Sequence, residues 1–172
     1  MEISTERLIL KPLGTEYLES VHKYASDIEN TKYMIHLPNE TVDETKEFLV
    51  GCEREWAKQI PDFYEFAVIK ESVHIGAVSI YLNENHDTAI LGWILDPDYH
   101  NCGYATEAAS AIVRFAEEKL SIRHFTAFCD FENRASENVM RKLGFTKTGC
   151  YDGRKNRISD EERKELVYEL FT

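Results

Sequence analysis

The order of apolar and polar positions along the chain predicts alternating strands and helices. Residues Arg7 to Leu13 alternate between the two classes, with Pro12 near the end, which indicates a first strand at a sheet margin. Two helical patterns follow, the first from about Glu16 to Ile28. The second opens at Thr41, whose hydroxyl stands three residues before Glu44 in the arrangement of a capping box.

The middle of the chain changes to a strand-like pattern. Three segments rich in β-branched and aromatic residues, 66–69, 75–82 and 89–95, are separated by polar turns at 70–73 and 83–88. Short connections of this kind join antiparallel neighbours. The pattern therefore predicts a three-stranded meander.

A helix lying on a sheet is predicted next, because apolar residues recur at steps of three and four from Ala105 to Leu120. A buried strand from His124 to Cys129 follows, and then a helix from Ala135 to Leu143 that ends at Gly144. No repeat or linker interrupts this order, so we expect residues 1–172 to form one domain of mixed α/β (α+β) class. Two final strands are predicted near Phe145 to Tyr151 and Glu165 to Phe171.

Composition narrows the class of protein. Among 172 residues, 43% are apolar and 30% charged, and the net charge is −11, which is typical of a globular domain. An acidic surface does not favour nucleic-acid binding, because phosphate contacts need clustered Lys and Arg. No segment approaches the roughly 20 apolar residues of a membrane span, and the first residues lack a secretory signal pattern. We expect a cytoplasmic protein with neither nucleic acid nor membrane as partner.

Several catalytic and metal-binding motifs are missing. The cysteines Cys52, Cys102, Cys129 and Cys150 contain no Cys-x-x-Cys pair, so reduced thiols and no metal site are expected. The chain also lacks Gly-x-Gly-x-x-Gly, the P-loop sequence, Gly-x-Ser-x-Gly and His-Glu-x-x-His. Dinucleotide-binding, P-loop, serine hydrolase and metalloprotease classes therefore lose their sequence support.

The segment from Ile94 to Ala108 carries the candidate chemistry, because it joins a strand end to a helix start through a turn of small residues. The first amides of such a helix have no intrahelical partner, and together with the helix dipole they attract a phosphate or diphosphate. Gly103 and Ala105 keep side chains away from those amides. An ordinary strand-to-helix connection that uses glycine for backbone freedom remains the alternative.

The chain contains five motifs in a fixed order, Thr5-Glu-Arg-Leu-Ile-Leu-Lys-Pro12, Gly92-Trp-Ile-Leu-Asp-Pro-Asp-Tyr99, Gly103-Tyr-Ala-Thr-Glu-Ala108, Asn133-Arg-Ala-Ser136 and Lys142-Leu-Gly-Phe145. Together they resemble the GNAT acetyltransferase superfamily, in particular its RimJ/RimL-like branch. The resemblance implies a central, mixed, mostly antiparallel sheet of six to seven strands with about four helices, splayed between strands 4 and 5. It also implies acetyl-CoA as the cosubstrate.

The diphosphate loop of that family, Gln/Arg-x-x-Gly-x-Gly/Ala, maps onto His100 to Ala105. His100 replaces the usual Gln or Arg, and Asn101 stands where glycine is common. Because backbone amides hold the phosphates, these departures bear on affinity and loop geometry more than on the mode of binding. The cofactor-binding residues implied by the resemblance are Ile94, Leu95, His100, Asn101, Cys102, Gly103, Tyr104, Ala105, Thr106, Asn133, Ser136 and Lys142.

The resemblance also implies individual roles. The main chains of Ile94 and Leu95 would meet the pantetheine arm, and one of their amides would polarise the thioester carbonyl. Asn133 suits the pantetheine amides, and Ser136 is the candidate catalytic acid that protonates the departing thiolate. Lys142 is a candidate cation for the cofactor. Helix capping is the alternative for Asn133 and Ser136, and a solvated surface position is the alternative for Lys142.

The acceptor implied by the resemblance is a primary amine, either a protein N-terminal α-amino group or a small-molecule amine, which attacks directly in a ternary complex. At pH 7 a lysine-like amine costs about 4.6 kcal/mol to deprotonate, against about 1 kcal/mol for an α-amino group. No residue is marked as the general base, although His86, Asp130 and Asp152 are possible.

Other possibilities stay open at this point. A non-catalytic acyl-CoA-binding module with the same fold, or an unrelated α/β domain with a chance phosphate loop, would fit the same residues. The resemblance implies that the aromatic-rich segment 28–62 would cover the acceptor side, where it would form either a pocket or core. The chain is expected to be a monomer or a homodimer, with a strand near Glu165 to Phe171 as a candidate edge for pairing across a two-fold axis.

Overall fold

Eight strands form one mixed sheet in the order β1-β2-β3-β4-β5-β6-β8-β7. The computed structural model describes all 172 residues. Every neighbouring pair is antiparallel except β5 and β6, which run parallel. The strands are β1 (Ile3–Ser4), β2 (Ile9–Pro12), β3 (Phe63–Lys70), β4 (Val73–Leu82), β5 (Thr88–Leu95), β6 (His124–Asp130), β7 (Thr146–Lys155) and β8 (Glu162–Phe171).

Five helices cover the two faces of the sheet. On one face α1 and α3 enclose a small core around Leu13, Leu49 and Ala77, and on the other α4 and α5 enclose the main core around Phe66, Ile112 and others. None of the helices combines the length and apolar composition that crossing a membrane requires. The helices are α1 (Leu18–Ala25), α2 (Ile28–Thr31), α3 (Val42–Trp56), α4 (Tyr104–Phe115), which continues as a π-helical turn over Ala116–Leu120, and α5 (Arg134–Lys142).

The predicted meander is confirmed as β3, β4 and β5. Its first turn is two residues long, and both Glu71 and Ser72 have positive φ angles, of 48° and 70°. This is the backbone shape that matches the twist of an antiparallel hairpin. The polar turn cluster was thus sufficient to place the connection.

The first half of the chain is more divided than its pattern predicts. The helix predicted from Glu16 to Ile28 ends at Ala25, and a separate short helix begins after Asp27, whose side chain accepts a hydrogen bond from the Asn30 amide at 3.0 Å. An additional strand, β1, pairs with β2. The sheet therefore has eight strands where six to seven were expected, and five helices where about four were.

The start of α3 follows the capping prediction, with one change of partner. The hydroxyl of Thr41 accepts a hydrogen bond from the Glu44 amide at 3.2 Å. The Glu44 carboxylate accepts its short hydrogen bond, at 2.7 Å, from the amide of Glu40, one residue before the Thr41 amide that a capping box uses. Two otherwise unpaired amides at this helix start are satisfied by a local pattern of four residues.

The sheet opens between β5 and β6. The two strands pair only at Thr88 with His124, Ala89 with Phe125 and Ile90 with Thr126. Beyond that point, residues 91–95 of β5 have no strand partner on the β6 side. The splay implied between strands 4 and 5 of the predicted order is therefore found between β5 and β6, and we call it the gap.

The prediction that the strand near Glu165 to Phe171 lies at an edge of the sheet is wrong. This strand, β8, lies between β6 and β7 and is paired on both sides, so it has no free edge. The free edge on that side belongs to β7, which is exposed along most of its length. Alternation along a strand reports which side chains are buried and says nothing about which strand lies next to it.

Candidate functional site

The end of β5 presents main-chain groups to the gap. The amide of Asp96 donates to the Ile75 carbonyl of β4 at 2.8 Å, so alternation along the strand also directs the main chain of Ile94 toward β4 and that of Leu95 away from it. The Leu95 carbonyl accepts hydrogen bonds from Asn30 Nδ2 and His100 Nε2, both at 3.1 Å. Of the two predicted residues, Leu95 is therefore the one whose N–H faces the gap.

The loop before α4 contains two left-handed residues. Asn101 has φ 59° and Gly103 has φ 81°. Asn is one of the few residues with a side chain that tolerate this conformation, which explains how it replaces the glycine common at this position. Gly103 caps α4 without a side-chain hydrogen bond, so the first amides of the helix, those of Tyr104, Ala105 and Thr106, face outward unsatisfied by any cap.

Three side chains of this loop contact the protein and not the first amides of α4. The ring of His100 bonds the Leu95 carbonyl, and the exposed thiol of Cys102 donates to the His100 carbonyl at 3.3 Å. The ring of Tyr104 is buried in the main core. These residues can therefore contribute to a diphosphate site only through their main chains.

Asn133 and Ser136 lie together at the start of α5. Asn133 is the N-cap, and its Oδ1 accepts the Ser136 amide at 3.1 Å, which leaves the side-chain NH2 group free to donate. The Ser136 hydroxyl accepts from Trp93 Nε1 at 3.3 Å. Since Trp93 is on β5, this bond links α5 to β5 across the gap. Asn133 therefore caps α5 through its side-chain oxygen, as the capping alternative predicts, while its side-chain NH2 group can still donate to a ligand.

The cations of α5 differ in how they are paired. Arg134 and Arg141 both bond the carboxylate of Glu137, at 2.7 and 2.9 Å, as does the hydroxyl of Tyr168 at 2.6 Å. Hydrogen bonds from Tyr168 and Arg134 lower the pKa of Glu137 to about 2. Lys142 has no carboxylate partner and lies at the last turn of the helix, about 13 Å from Asn133.

A buried ion pair closes the carboxyl end of β6. Asp130 is fully buried and accepts hydrogen bonds from Arg163 Nη2 at 3.0 Å, Asn156 Nδ2 at 2.8 Å and the Glu132 amide at 2.9 Å. Burial alone would raise the pKa of Asp130, but these hydrogen bonds outweigh it and the pKa is lowered. Asp130 is therefore a charged structural anchor.

The segment 33–36 is bound to the end of β7 and to the loop that follows it. Arg154 pairs with Glu165 and donates to the Tyr33 carbonyl at 2.8 Å, and the Arg157 amide donates to the Met34 carbonyl at 2.9 Å. The aromatic segment thus divides in two. Its 33–36 part packs beside Arg163, whose guanidinium carbon lies 5.8 Å from the centroid of the Tyr33 ring. Trp56 instead packs edge to face against Tyr64 of β3 in the core, 5.2 Å between ring centroids.

The three possible bases are poorly placed for that role. His86 lies in the β4–β5 turn beside Asp62, at the end of β5 that is roughly 23 Å from Leu95. Asp152 is exposed on β7 and lies 3.5 Å from Lys164. Asp130 is held by Arg163. No free carboxylate or imidazole among them faces the Leu95 amide.

Sequence reasoning missed one cation at the loop. Arg7 donates to the carbonyl of Cys102 at 3.0 Å and bonds Glu107 of α4 at 2.7 Å. Both residues lie inside quoted motifs, the first near the start of the chain and the second after the loop. The opposite charges of Arg7 and Glu107 are the one signal in the sequence, but no local pattern predicts a contact between positions 100 residues apart.

The sequence and the fold both match known acetyltransferases. The profile of the Acetyltransferase (GNAT) domain covers residues 7–146. The chain is 29% identical to the uncharacterized N-acetyltransferase YnaD of Bacillus subtilis (strain 168) over 153 residues, which span 88% of this chain and 86% of YnaD. The crystal structure of an acetyltransferase (GNAT family) from Bacillus anthracis has a TM-score of 0.85 at 26% identity and covers 99% of this chain and 98% of that one.

A further structural neighbour contains the cofactor. RimL, a ribosomal L7/L12 alpha-N-protein acetyltransferase solved in complex with coenzyme A, has a TM-score of 0.86, with 99% of this chain and 98% of RimL covered. At 17% identity this likeness concerns the fold. The profile match nevertheless spans most of the chain. The chain therefore belongs to the GNAT acetyltransferase family and is an acetyl-CoA-dependent acyltransferase.

Proposed function

We propose that the protein acetylates primary amines of the α-amino class, on a peptide N-terminus or a small molecule, by direct attack on acetyl-CoA in a ternary complex. The observation that carries this proposal is the pairing of the carboxylates at the carboxyl end of β6, beside the open part of the gap. Asp130 is held by Arg163 and Glu165 by Arg154. A carboxylate held in an ion pair is a poor proton acceptor, because protonation would break the pair.

Without a strong base, the acceptor must supply its own neutral amine. An α-amino group with a pKa near 7.8 is neutral in more than a tenth of molecules at pH 7, whereas a lysine-like amine is neutral in less than roughly one in a thousand. The energetic difference is about 3.5 kcal/mol in the population of the attacking form. This difference favours α-amines over more basic amines as acceptors.

The proposed reaction uses groups that face the gap. The nitrogen attacks the thioester carbon, the Leu95 N–H stabilises the oxyanion, and the Asn133 amide group orients the pantetheine arm. The C–N bond forms and the C–S bond breaks as the tetrahedral species collapses. The Ser136 hydroxyl gives its proton to the leaving thiolate and regains one from the nitrogen of the collapsing tetrahedral species, which releases free CoA thiol and a neutral amide. The first proton, which the substrate ammonium group loses to become the attacking amine, goes to solvent.

The acceptor class can be tested with paired peptides. We expect a short peptide with a free α-amine to release CoA thiol, and the same peptide with a blocked N-terminus and a free lysine to give at most a hundredth of that rate. The value of kcat/KM should rise with pH and level off near the pKa of the α-amine, about 7.8. Equal turnover of the blocked peptide, or of a diamine, would contradict the proposed class.

Initial-velocity kinetics with both substrates varied distinguish the proposed direct transfer from its alternatives. Direct transfer in a ternary complex gives intersecting initial-velocity lines, and no acetylated protein accumulates without acceptor. Parallel lines with an acetyl-enzyme detected by mass spectrometry would indicate a covalent intermediate, for example on Cys102. Binding of CoA without turnover of any amine in a broad panel would leave the non-catalytic module as the function.

A substitution at Gly103 tests the phosphate loop. We expect Gly103→Val to weaken CoA binding at least tenfold in calorimetric titration, because a side chain there is strained at φ 81° and stands at the amides that would hold the diphosphate. Gly153→Val is the matched control, since Gly153 also has a positive φ, 97°, and open space around it, but lies on β7. Equal CoA affinity of both variants would contradict the loop assignment.

A further inference from the structure

Three donors from the start of the chain converge on one carboxylate of α4. Glu107 accepts hydrogen bonds from Thr5 Oγ1 at 2.6 Å, the Arg7 amide at 2.9 Å and Arg7 Nε at 2.7 Å. Its side chain is only 17% exposed. The connection between β1 and β2 is thereby fixed to the first turn of α4, the turn that follows the phosphate loop.

The guanidinium group of Arg7 lies on that loop. Its Nη1 donates to the Cys102 carbonyl at 3.0 Å, and its carbon atom lies 4.6 Å from the centroid of the Tyr104 ring. Nη2 has no protein partner and lies 3.5 Å from the position that a Cβ of Gly103 would take. The cation is thus held on three sides while one pair of donors stays open beside Gly103.

The charge of Arg7 matters because its surroundings are acidic. The segment 96–103 contains two aspartates and neither lysine nor arginine, and the protein carries a net charge of −11. Glu107 lies in the first turn of α4, where its negative charge would oppose a diphosphate bound to the same helix start. Arg7 neutralises Glu107 and keeps donors available on the loop side.

We propose that Arg7 is a cofactor-binding residue, which donates through Nη2 to the diphosphate of acetyl-CoA while Glu107 holds its guanidinium in place. The inference rests on the use of acetyl-CoA in the proposed function. Planar guanidinium groups bind phosphate oxygens with charge-assisted hydrogen bonds, and here the group is oriented before the ligand arrives. Glu107 acts through Arg7 and is a positioning residue.

The test compares acetyl-CoA with acetyl-pantetheine, which lacks the diphosphate. We expect R7M to raise KM for acetyl-CoA and the Kd of CoA about tenfold or more, with little change in kcat and a less than twofold change in KM for acetyl-pantetheine. R7K keeps the positive charge but loses the planar guanidinium group, so it should give a smaller loss of CoA affinity than R7M. R114M, which removes a cation from the far end of α4, should leave all of these values unchanged.

Two further outcomes would overturn the inference. If R7M loses activity equally with both thioesters while R7K remains folded and equally impaired, Arg7 has only a structural role. If E107Q in the R7M background restores the Kd of CoA fully, Arg7 serves only to cancel the charge of Glu107. Failure of the wild-type protein to bind CoA would reject the proposed function itself, whereas normal binding by both Arg7 variants would reject this inference alone.

Discussion

Replacing Arg163 with methionine is expected to lower the free energy of unfolding by about 3–5 kcal/mol, because it leaves a buried charge without its partner. Asp130 is fully buried, and Arg163 supplies two of its hydrogen bonds while also bonding Glu132 at 2.6 Å. Asn156 and one backbone amide would remain, and neither carries charge. Urea unfolding at pH 7 measures the loss.

The matched control for this variant is an exposed ion pair. Arg123 lies 3.5 Å from Glu117 and its side chain is 64% exposed, so R123M should cost less than about 1 kcal/mol. The double variant D130N/R163M removes the buried charge as well and should be more stable than R163M alone. If R163M unfolds at the same urea concentration as R123M, the ion pair does not anchor the end of β6.

The second large effect concerns Glu65, a buried carboxyl group with no cationic partner. It lies on β3 beneath α3, is 7% exposed, and accepts a hydrogen bond from the Tyr81 hydroxyl at 2.6 Å. Burial raises the pKa of Glu65 from 4.5 to about 7, although hydrogen bonds from Tyr81 and Ser79 partly oppose this. The folded protein therefore holds a proton that the unfolded chain releases.

The sign of the resulting pH dependence follows from that raised pKa. Below pH 4.5 both states carry the proton and Glu65 costs nothing, whereas between pH 4.5 and 7 the unfolded state gains stability by ionising. Above pH 7 the penalty reaches about 3 kcal/mol, at 1.36 kcal/mol for each pKa unit. We expect E65Q to be more stable than the wild type by about this amount at pH 8 and by little at pH 4.5.

Urea unfolding at several pH values checks this prediction. E84Q serves as the control, because Glu84 is an exposed turn residue and should change stability little at any pH. The difference between E65Q and the wild type should grow steadily from pH 4.5 to 7 and then level off. A constant difference across that range would show that Glu65 is charged in the folded protein throughout.

Local signals in the sequence were sufficient for the elements that depend on local contacts. The capped start of α3 at Thr41 needs only its next few residues, and the end of α5 needs only Gly144, whose φ of 89° lets Phe145 bond back to Met140 at 3.0 Å. The meander follows from short polar turns. These features are specified within about ten residues of chain.

Features that depend on distant contacts could not be predicted in the same way. The insertion of β8 between β6 and β7 is a choice among strand neighbours, which alternation does not encode. Glu65 occupies a position that an alternating strand would give to solvent, and only the packing of α3 buries it. The guanidinium group of Arg7 is held in place by Glu107, and no local signal in the sequence predicts that these two residues pair.

Because β5 and β6 pair at only three positions, a ligand bound in the gap is expected to slow the loss of folded protein. A ligand that spans the gap contacts both β5 and β6, and it binds only the native state. Ligand at a hundred times its Kd adds about 2.7 kcal/mol to the free energy of unfolding. The supply of the cofactor in the cell would then affect the abundance of the enzyme as well as its rate, since an empty gap leaves more chains open to proteolysis.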